Sequence, residues 1–138
     1  MYLNVVGLSY HTAPLDVRDR VALTESRQVQ ALTLLKSSGE LVETVVLSTC
    51  NRSEIYATTN GAAPDPRPVE TWFYQIHGLS DGDLTPYLYR LTDEAAIRHL
   101  FRVVSSLDSM VVGEQQILGQ VKEAYLRSLE EQTTGVIL

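Results

Sequence analysis

The stretch TVVLSTCNRSEIY, at residues 44–56, places the one cysteine of the 138-residue chain in a polar turn between two apolar runs. Residues 41–49 and 54–59 have the composition of β-strands, and a turn this short requires the two strands to pair antiparallel. A strand end followed by a sharp turn is a good place to hold a nucleophile. Cys50 is therefore either a nucleophile or a buried small apolar residue, since free cysteine is among the most buried residue types.

The segments on either side of this hairpin complete a β-α-β-β-α-β order. The sequence predicts strands at residues 2–8, 41–49, 54–59 and 86–91, and helices at residues 25–37 and 69–77. Thr24 is the expected N-cap of the first helix, and Gly39 closes it. The order is that of a ferredoxin-like fold. We therefore expect the α+β class: a four-stranded, mainly antiparallel sheet with helices on one face, plus C-terminal helices.

The chain after residue 91 has helical character throughout. Ile97, Leu100, Phe101 and Val104 recur at helical spacing, which predicts a helix from about residue 93 with these side chains on its buried side. A longer helix is predicted at residues 114–132. The sequence thus divides into an α/β part at residues 1–91 and a helical part at residues 92–138. The chain ends on three apolar residues, from which we expect it to belong to a longer protein.

Composition limits the classes of function. A net charge of −6 argues against a dedicated nucleic-acid-binding domain, although Arg98 and Arg102, four residues apart, could form a local phosphate site. One cysteine cannot form an internal disulfide, which suits the cytoplasm. No apolar run has the length of a membrane span, and no basic leader precedes the first strand. The three histidines and one cysteine lack metal-ligand spacing, and the eight glycines form no dinucleotide or Walker motif.

Two further groups of residues could carry chemistry. At about 100° per residue, His99 projects roughly 200° from Ile97, away from the predicted buried side. It is either a proton-transfer group or a solvated surface histidine. Gln116 and Gln120 form an i, i+4 pair on the polar face of the last predicted helix, and Ser109 precedes that helix. Together they could bind a small polar ligand such as an amino acid, or they could be a solvated helix face.

Three segments of the sequence together resemble one family, the N-terminal catalytic domain of glutamyl-tRNA reductase. They are GLSYHTAP at residues 7–14, LSTCNRSEIY at residues 47–56, and HLFRVVSSLDSMVVGEQQILGQVK at residues 99–122. The resemblance covers nearly the whole chain. It implies an enzyme that reduces the glutamyl ester of glutamyl-tRNA to glutamate-1-semialdehyde with NADPH, in tetrapyrrole synthesis.

The resemblance also assigns roles by position. Cys50 would attack the ester carbonyl to give a thioester, and His99 would support catalysis by proton transfer or orientation. The residues that would recognise the glutamyl group are Thr49, Asn51, Arg52, Ser109, Glu114, Gln115, Gln116 and Gln120. A guanidinium can pair with a carboxylate through two hydrogen bonds, which is consistent with a role for Arg52.

The partners implied by the resemblance lie mostly outside this sequence. The family's NADPH-binding domain and its C-terminal dimerisation domain are not contained in it, so we expect no cofactor and no metal in this chain. The full-length protein is expected to be a cytoplasmic homodimer that acts on glutamyl-tRNA, with no membrane association and with the downstream aminomutase as a further partner. Two alternatives stay open: an amino-acid-binding regulatory module and a stand-alone thiol esterase.

Overall fold

A computed structural model of the chain describes residues 1–105, 116–135 and 138. The strands are β1 (Tyr2–Ser9), β2 (Leu41–Ser48), β3 (Arg52–Thr59) and β4 (Tyr89–Thr92). The helices are α1 (Leu15–Arg20), α2 (Glu25–Lys36), α3 (Arg67–Ile76), α4 (Asp93–Val104) and α5 (Gln116–Glu130), and a short 3-10 helix spans Thr85–Tyr87.

The four strands form one sheet in the order β2-β3-β1-β4, and every neighbouring pair is antiparallel. With α2 between β1 and β2, and α3 between β3 and β4, this is the ferredoxin-like topology. The predicted fold class is confirmed.

Helices cover both faces of this sheet. On one face, α2 and α3 bury an apolar core that includes Leu32, Phe73 and the inward side chains Val46 and Ile55. On the other face, α4 and α5 pack on a second core that includes Tyr56. The two cores use alternate residues of the same strands, because successive side chains of a strand point to opposite faces. The C-terminal helices therefore belong to the same folded unit as the sheet, and the division at residue 92 stays a prediction.

Two local predictions about this second half are wrong. The predicted strand at residues 86–91 begins later, at Tyr89, because Pro86 lies in the 3-10 helix. Proline lacks an N–H group and fits the first turn of such a helix better than a paired strand.

The predicted buried side of α4 is wrong for Ile97 and Phe101, whereas Leu100 and Val104 are half-buried. Phe101 is 71% exposed and Ile97 is 47% exposed, whereas Ala96 and Val103 are fully buried. The helix is rotated so that its sheet side carries Ala96, His99 and Val103. Ala96 allows a close approach of helix to sheet, and His99 has a polar partner there, so a helix side that contains a histidine can face the sheet.

His77 at the end of α3 gives the fold a specific pH dependence. Its Nδ1–H donates to the Phe73 carbonyl over 2.7 Å, and its Nε2 lies 3.5 Å from the buried Ser53 hydroxyl. Burial outweighs the hydrogen bonds to the backbone carbonyls of Phe73 and Val21, and it lowers the pKa of His77 from 6.5 to about 4. The folded state thus disfavours the imidazolium.

The consequence is stability that is present above pH 6.5 and is lost as pH falls towards 4. Between pH 7 and pH 5 we expect this group to remove about 2 kcal/mol of unfolding free energy. Urea unfolding of wild type and His77→Gln at both pH values measures it, because glutamine does not titrate. Equal pH dependence in the two proteins would show that His77 is not buried as a neutral imidazole.

Candidate functional site

The turn between β2 and β3 is held by its own side chains and backbone. The Thr49 hydroxyl accepts the N–H groups of Asn51 and Arg52, each over 3.2 Å, and the Thr49 N–H donates to the Arg52 carbonyl over 2.8 Å. A threonine hydroxyl that bonds nearby backbone in this way fixes a tight turn. Cys50 lies within the turn and is exposed. The cysteine is therefore presented to solvent on a fixed backbone.

The segment between β1 and α1 supports the same turn from outside. The Arg18 guanidinium donates to the Cys50 carbonyl over 3.1 Å, and the Tyr10 N–H donates to the Asn51 carbonyl over 2.9 Å. Tyr10 lies within the GLSYHTAP segment, and Arg18 follows that segment in α1. Two sequence segments that are about 40 residues apart thus meet at the cysteine.

Behind the turn, β3 carries two charged side chains into the protein interior. Arg52 is 2% exposed and Glu54 is fully buried, and the Arg52 Nη1 lies 3.4 Å from the Glu54 Oε2. Strand alternation puts both residues on the face that α4 and α5 cover, together with Tyr56. A buried charge requires partners, because an isolated ion in the interior costs several kcal/mol.

Glu54 accepts hydrogen bonds from side chains of β3, β4 and α4. The Tyr56 hydroxyl donates to its Oε1 over 2.8 Å, and the Tyr89 hydroxyl donates to its Oε2 over 2.5 Å. His99 of α4 is hydrogen-bonded to the same Oε2 through Nε2, and its side chain is 13% exposed. A carboxylate can only accept, so the proton lies on Nε2 of His99. Glu54 is the centre of a network that joins β3, β4 and α4.

The network favours a charged carboxylate. Burial is the largest influence on the pKa of Glu54 and raises it. The hydrogen bond and charge of His99, the charge of Arg52 and the hydrogen bond from Tyr89 together outweigh burial, so the pKa is lowered from its usual 4.5. Burial and the neighbouring negative charge of Glu54 raise the pKa of Tyr56 well above 10. The site therefore contains a carboxylate that accepts hydrogen bonds from Tyr56, Tyr89 and His99.

The structure brings some of the predicted site residues together. Arg52 and His99 meet through Glu54, and Cys50 lies two residues before Arg52. Thr49 and Asn51 form the turn itself. Gln120 is half-buried on α5, and Gln116 begins that helix. Three further predictions, Ser109, Glu114 and Gln115, lie outside the described residues. All these roles stay predictions.

Sequence reasoning missed the residue that organises the network. Glu54 stands in the quoted hairpin stretch but was not assigned to the site, and Tyr56 and Tyr89 read as apolar strand residues. One signal was present: Arg52 and Glu54 are charged residues two apart in a strand, and hence on one face. Two opposite charges on one face of a strand that is buried on both sides indicate an internal ion pair.

Within the described residues, no group of three His, Cys, Asp or Glu side chains could hold a metal ion. No helix in the same part of the chain is long and apolar enough to cross a membrane.

The fold and the site define an α+β domain of ferredoxin-like topology, with a candidate thiol nucleophile on the turn before β3 and a buried carboxylate–histidine pair on β3 and α4. The sequence model of the family described as "Glutamyl-tRNAGlu reductase, N-terminal domain" matches residues 6–138. The chain belongs to this family.

Individual relatives agree with this assignment. The chain is 46% identical to a glutamyl-tRNA reductase of Geobacter metallireducens and 49% identical to one of Pelobacter propionicus, each over all 138 residues. It spans 32% of the length of each of these relatives. Among solved structures, it is similar to glutamyl-tRNA reductase from Methanopyrus kandleri, with a TM-score of 0.73 and 32% identity. That match covers 96% of this chain and 29% of the other.

Proposed function

We propose that this chain carries out the acyl-transfer half of glutamyl-tRNA reduction. In this step the Cys50 thiolate attacks the carbonyl carbon of the glutamyl ester. The new C–S bond forms, the ester C–O bond breaks, and the ribose oxygen of the tRNA leaves and takes up a proton. The product is a glutamyl thioester on Cys50. The observation that supports this most directly is the exposed Cys50 on a fixed turn, next to a strand that leads into the Glu54–His99 pair.

His99 is the group that we propose to move the proton. Its Nδ1 takes the proton of the Cys50 thiol, which becomes the attacking thiolate, and then gives it to the ribose oxygen that leaves. Its Nε2 is engaged with Glu54, so Nδ1 is the ring nitrogen that remains for the reacting oxygen. A histidine oriented by a buried carboxylate is a recurring arrangement beside nucleophiles, because the carboxylate fixes the ring and stabilises the imidazolium that forms. In this proposal Glu54 acts through His99 and does not touch the substrate.

Recognition of the glutamyl group is proposed for the same residues that the resemblance assigned: Thr49, Asn51, Arg52, Ser109, Glu114, Gln115, Gln116 and Gln120. Two of them also have structural tasks. The oxygen of Thr49 already accepts two backbone N–H groups, so its hydroxyl proton is the part that can serve a ligand. Arg52 balances the charge of Glu54, and this places a guanidinium directly behind the cysteine turn.

The reduction step needs a hydride donor, and the residues of this chain do not fit NADPH. Dinucleotides bind at a Gly-rich turn between a parallel strand and a helix. The described sheet is antiparallel throughout, and the sequence contains no G-x-G-x-x-G motif. We therefore assign NADPH binding and hydride transfer to the two thirds of the relatives' length that this chain does not span.

For the whole protein we propose the arrangement that the resemblance implies. It is a homodimer through a C-terminal domain, takes glutamyl-tRNA as substrate, and passes its aldehyde product to an aminomutase. We propose the cytoplasm as its compartment, because an exposed catalytic thiol has to stay reduced.

Intact-mass trapping tests the acylation step. Wild type incubated with glutamyl-tRNA, or with a small activated ester of glutamate, is expected to gain one glutamyl group that hydroxylamine removes. Since Cys50 is the only cysteine, a thioester has only one possible position. Cys50→Ser is expected to acylate on the order of 10³-fold more slowly or worse, because the hydroxyl is a far weaker nucleophile at neutral pH.

The same experiment separates the alternatives. Equal labelling of wild type and Cys50→Ser, or no labelling of wild type by either ester, contradicts the proposal. Glutamate binding that Cys50→Ala leaves intact, without any adduct, would instead indicate a regulatory amino-acid-binding module. Turnover of the small ester without reductive chemistry in the full-length protein would indicate a thiol esterase.

A further inference from the structure

The outward side of α4 exposes an aromatic ring between two cations. Phe101 is 71% exposed, and Arg98 and Arg102 are exposed on either side of it along the helix. Arg98 forms an i, i+4 pair with Glu94 over 2.8 Å, but both side chains are largely in solvent, where such a pair contributes little. In the described part of the chain, no carboxylate pairs with Arg102. This side of the helix is therefore locally cationic although the chain carries a net charge of −6.

Two shallow surface depressions meet on this side of the helix, and both are lined by Arg98 and Arg102, with the Glu94 carboxylate at the edge of each. One continues to His99, and the other continues to Phe101. The exposed ring, the two guanidinium groups and the candidate proton-transfer residue thus lie on one continuous surface. We call this surface, formed by Arg98, His99, Phe101 and Arg102, the α4 surface.

We propose that the α4 surface binds the single-stranded 3′ end of the tRNA, with an unpaired base stacked on Phe101 and phosphates paired with Arg98 and Arg102. The inference rests on the proposed function, in which the leaving group is the ribose of the terminal nucleotide. If His99 protonates that ribose oxygen, the nucleotides that carry it have to lie beside His99.

The chemistry of the α4 surface fits unpaired RNA better than a protein. Single strands are recognised by base stacking on aromatic rings and by cations along the backbone. Duplex recognition would need a longer cationic surface than one helix face provides. A protein partner would be expected to bury a larger apolar area than the exposed side chains of Phe101 and Ile97 provide, and here two guanidinium groups flank the ring.

Binding of a short RNA strand ending in CCA tests this inference. Fluorescence anisotropy at several salt concentrations measures both the affinity and its salt dependence. Phe101→Ala is expected to weaken binding about tenfold without changing the salt slope, because it removes a stacking contact. Arg102→Gln is expected to reduce the slope of log affinity against log salt by about 0.7, and Arg102→Lys is expected to retain it.

The matched control is Leu126→Ala, which truncates a 44% exposed apolar residue on α5 and should bind RNA as wild type does. Circular dichroism confirms that each variant is folded. The inference is overturned if wild type shows no binding at low salt, if Phe101→Ala binds as Leu126→Ala does, or if a blunt RNA duplex competes equally well. Self-association that depends on Phe101, with no RNA binding, would overturn it in favour of a protein contact.

The outcome can be separated from that of the proposed function. Thioester trapping with the small ester reports on Cys50 alone and needs no RNA. Trapping without RNA binding contradicts only the α4 surface. RNA binding without any trapping contradicts the acyl-transfer step.

Discussion

Replacing Glu54 with glutamine is expected to lower the free energy of unfolding by about 3 kcal/mol, because removing one charge of a buried ion pair is strongly destabilising and the donors around Glu54 lose a charged acceptor. Arg52 is 2% exposed and would lose the charge at 3.4 Å from its Nη1. The glutamine keeps the size of the side chain, so the loss reports on charge and hydrogen bonding and not on a cavity. Urea unfolding at pH 7 measures the effect.

Glu70→Gln provides the matched control on the same protein. Glu70 pairs with Arg90 through two contacts, one of them 2.8 Å, but both side chains are partly exposed. Ion pairs in contact with solvent contribute about 0–1 kcal/mol, so this substitution is expected to cost much less. Equal losses for Glu54→Gln and Glu70→Gln would show that the interior pair is not stabilising the fold.

The pH dependence supplies an independent readout for Glu54. Its pKa is lowered in the folded state, so its contribution is present above the ordinary value of 4.5 and is lost as pH falls below it. The stability difference between wild type and Glu54→Gln should therefore narrow below pH 4.5. The pH range of this effect differs from that of His77, whose contribution to stability changes between pH 6.5 and about 4.

An effect on acylation is expected as well. Glu54 orients His99, and supporting groups of this kind typically change activity by about 10–100-fold when they are lost. The rate of thioester formation should fall in Glu54→Gln under conditions where the variant is folded. An unchanged acylation rate would show that the reaction does not need Glu54 to orient His99.

The strand and helix order was predictable because its signals are local. The apolar runs before and after Cys50, the short turn between them, and the caps Thr24 and Gly39 each lie within a few residues of what they determine. In the structure, Thr24 caps α2 through its hydroxyl, and Gly39 has a φ of +75°. Antiparallel pairing of β2 with β3 then follows from the length of the turn.

The rotation of α4 was not predictable from its periodicity. Two overlapping faces of the helix satisfy the same spacing, and the more apolar one, with Ile97 and Phe101, is the exposed one. A spacing rule treats histidine as polar and therefore places it on the outward side, because the rule contains no information about a buried carboxylate elsewhere in the fold. The partner of His99 is 45 residues away, on the third strand. Its position depends on the register of the whole sheet.

The same distinction between local signals and long-range packing applies to the candidate site. Cys50 and its turn were evident from the hairpin stretch. The helical position of His99 left it open as a proton-transfer group or a surface histidine, and only the family resemblance favoured the first. The sequence shows Glu54 as a charged residue within a strand. Two of its partners, Arg52 and Tyr56, lie on the same strand, but the other two, Tyr89 and His99, are distant in sequence. Long-range packing, and not any local motif, makes it the centre.

Replacing Gly7 with alanine is the second substitution with a large expected effect. Gly7 of β1 is paired with Glu54 of β3 and lies on the same face of the sheet. A Cβ atom at Gly7 would lie 2.4 Å from the Ser53 carbonyl oxygen and 2.8 Å from the Glu54 Cγ. The first of these is backbone of a strand that is paired on both sides at Ser53, so it cannot move aside without breaking the ladder. A glycine is therefore required on β1 at the position opposite Glu54.

We expect Gly7→Ala to destabilise the protein by about 3 kcal/mol, at the upper end of the usual cost of overpacking, and to slow Cys50 acylation because Glu54 is displaced from His99. Gly61→Ala is the matched control, because its Cβ would lie 3.6 Å from the Ala63 carbonyl oxygen, which is ordinary contact. It should change stability by less than about 0.5 kcal/mol. Urea unfolding and thioester trapping on both variants measure the two effects. Full acylation activity in a folded Gly7→Ala protein would mean that the Glu54–His99 geometry is not needed for the thiol to react.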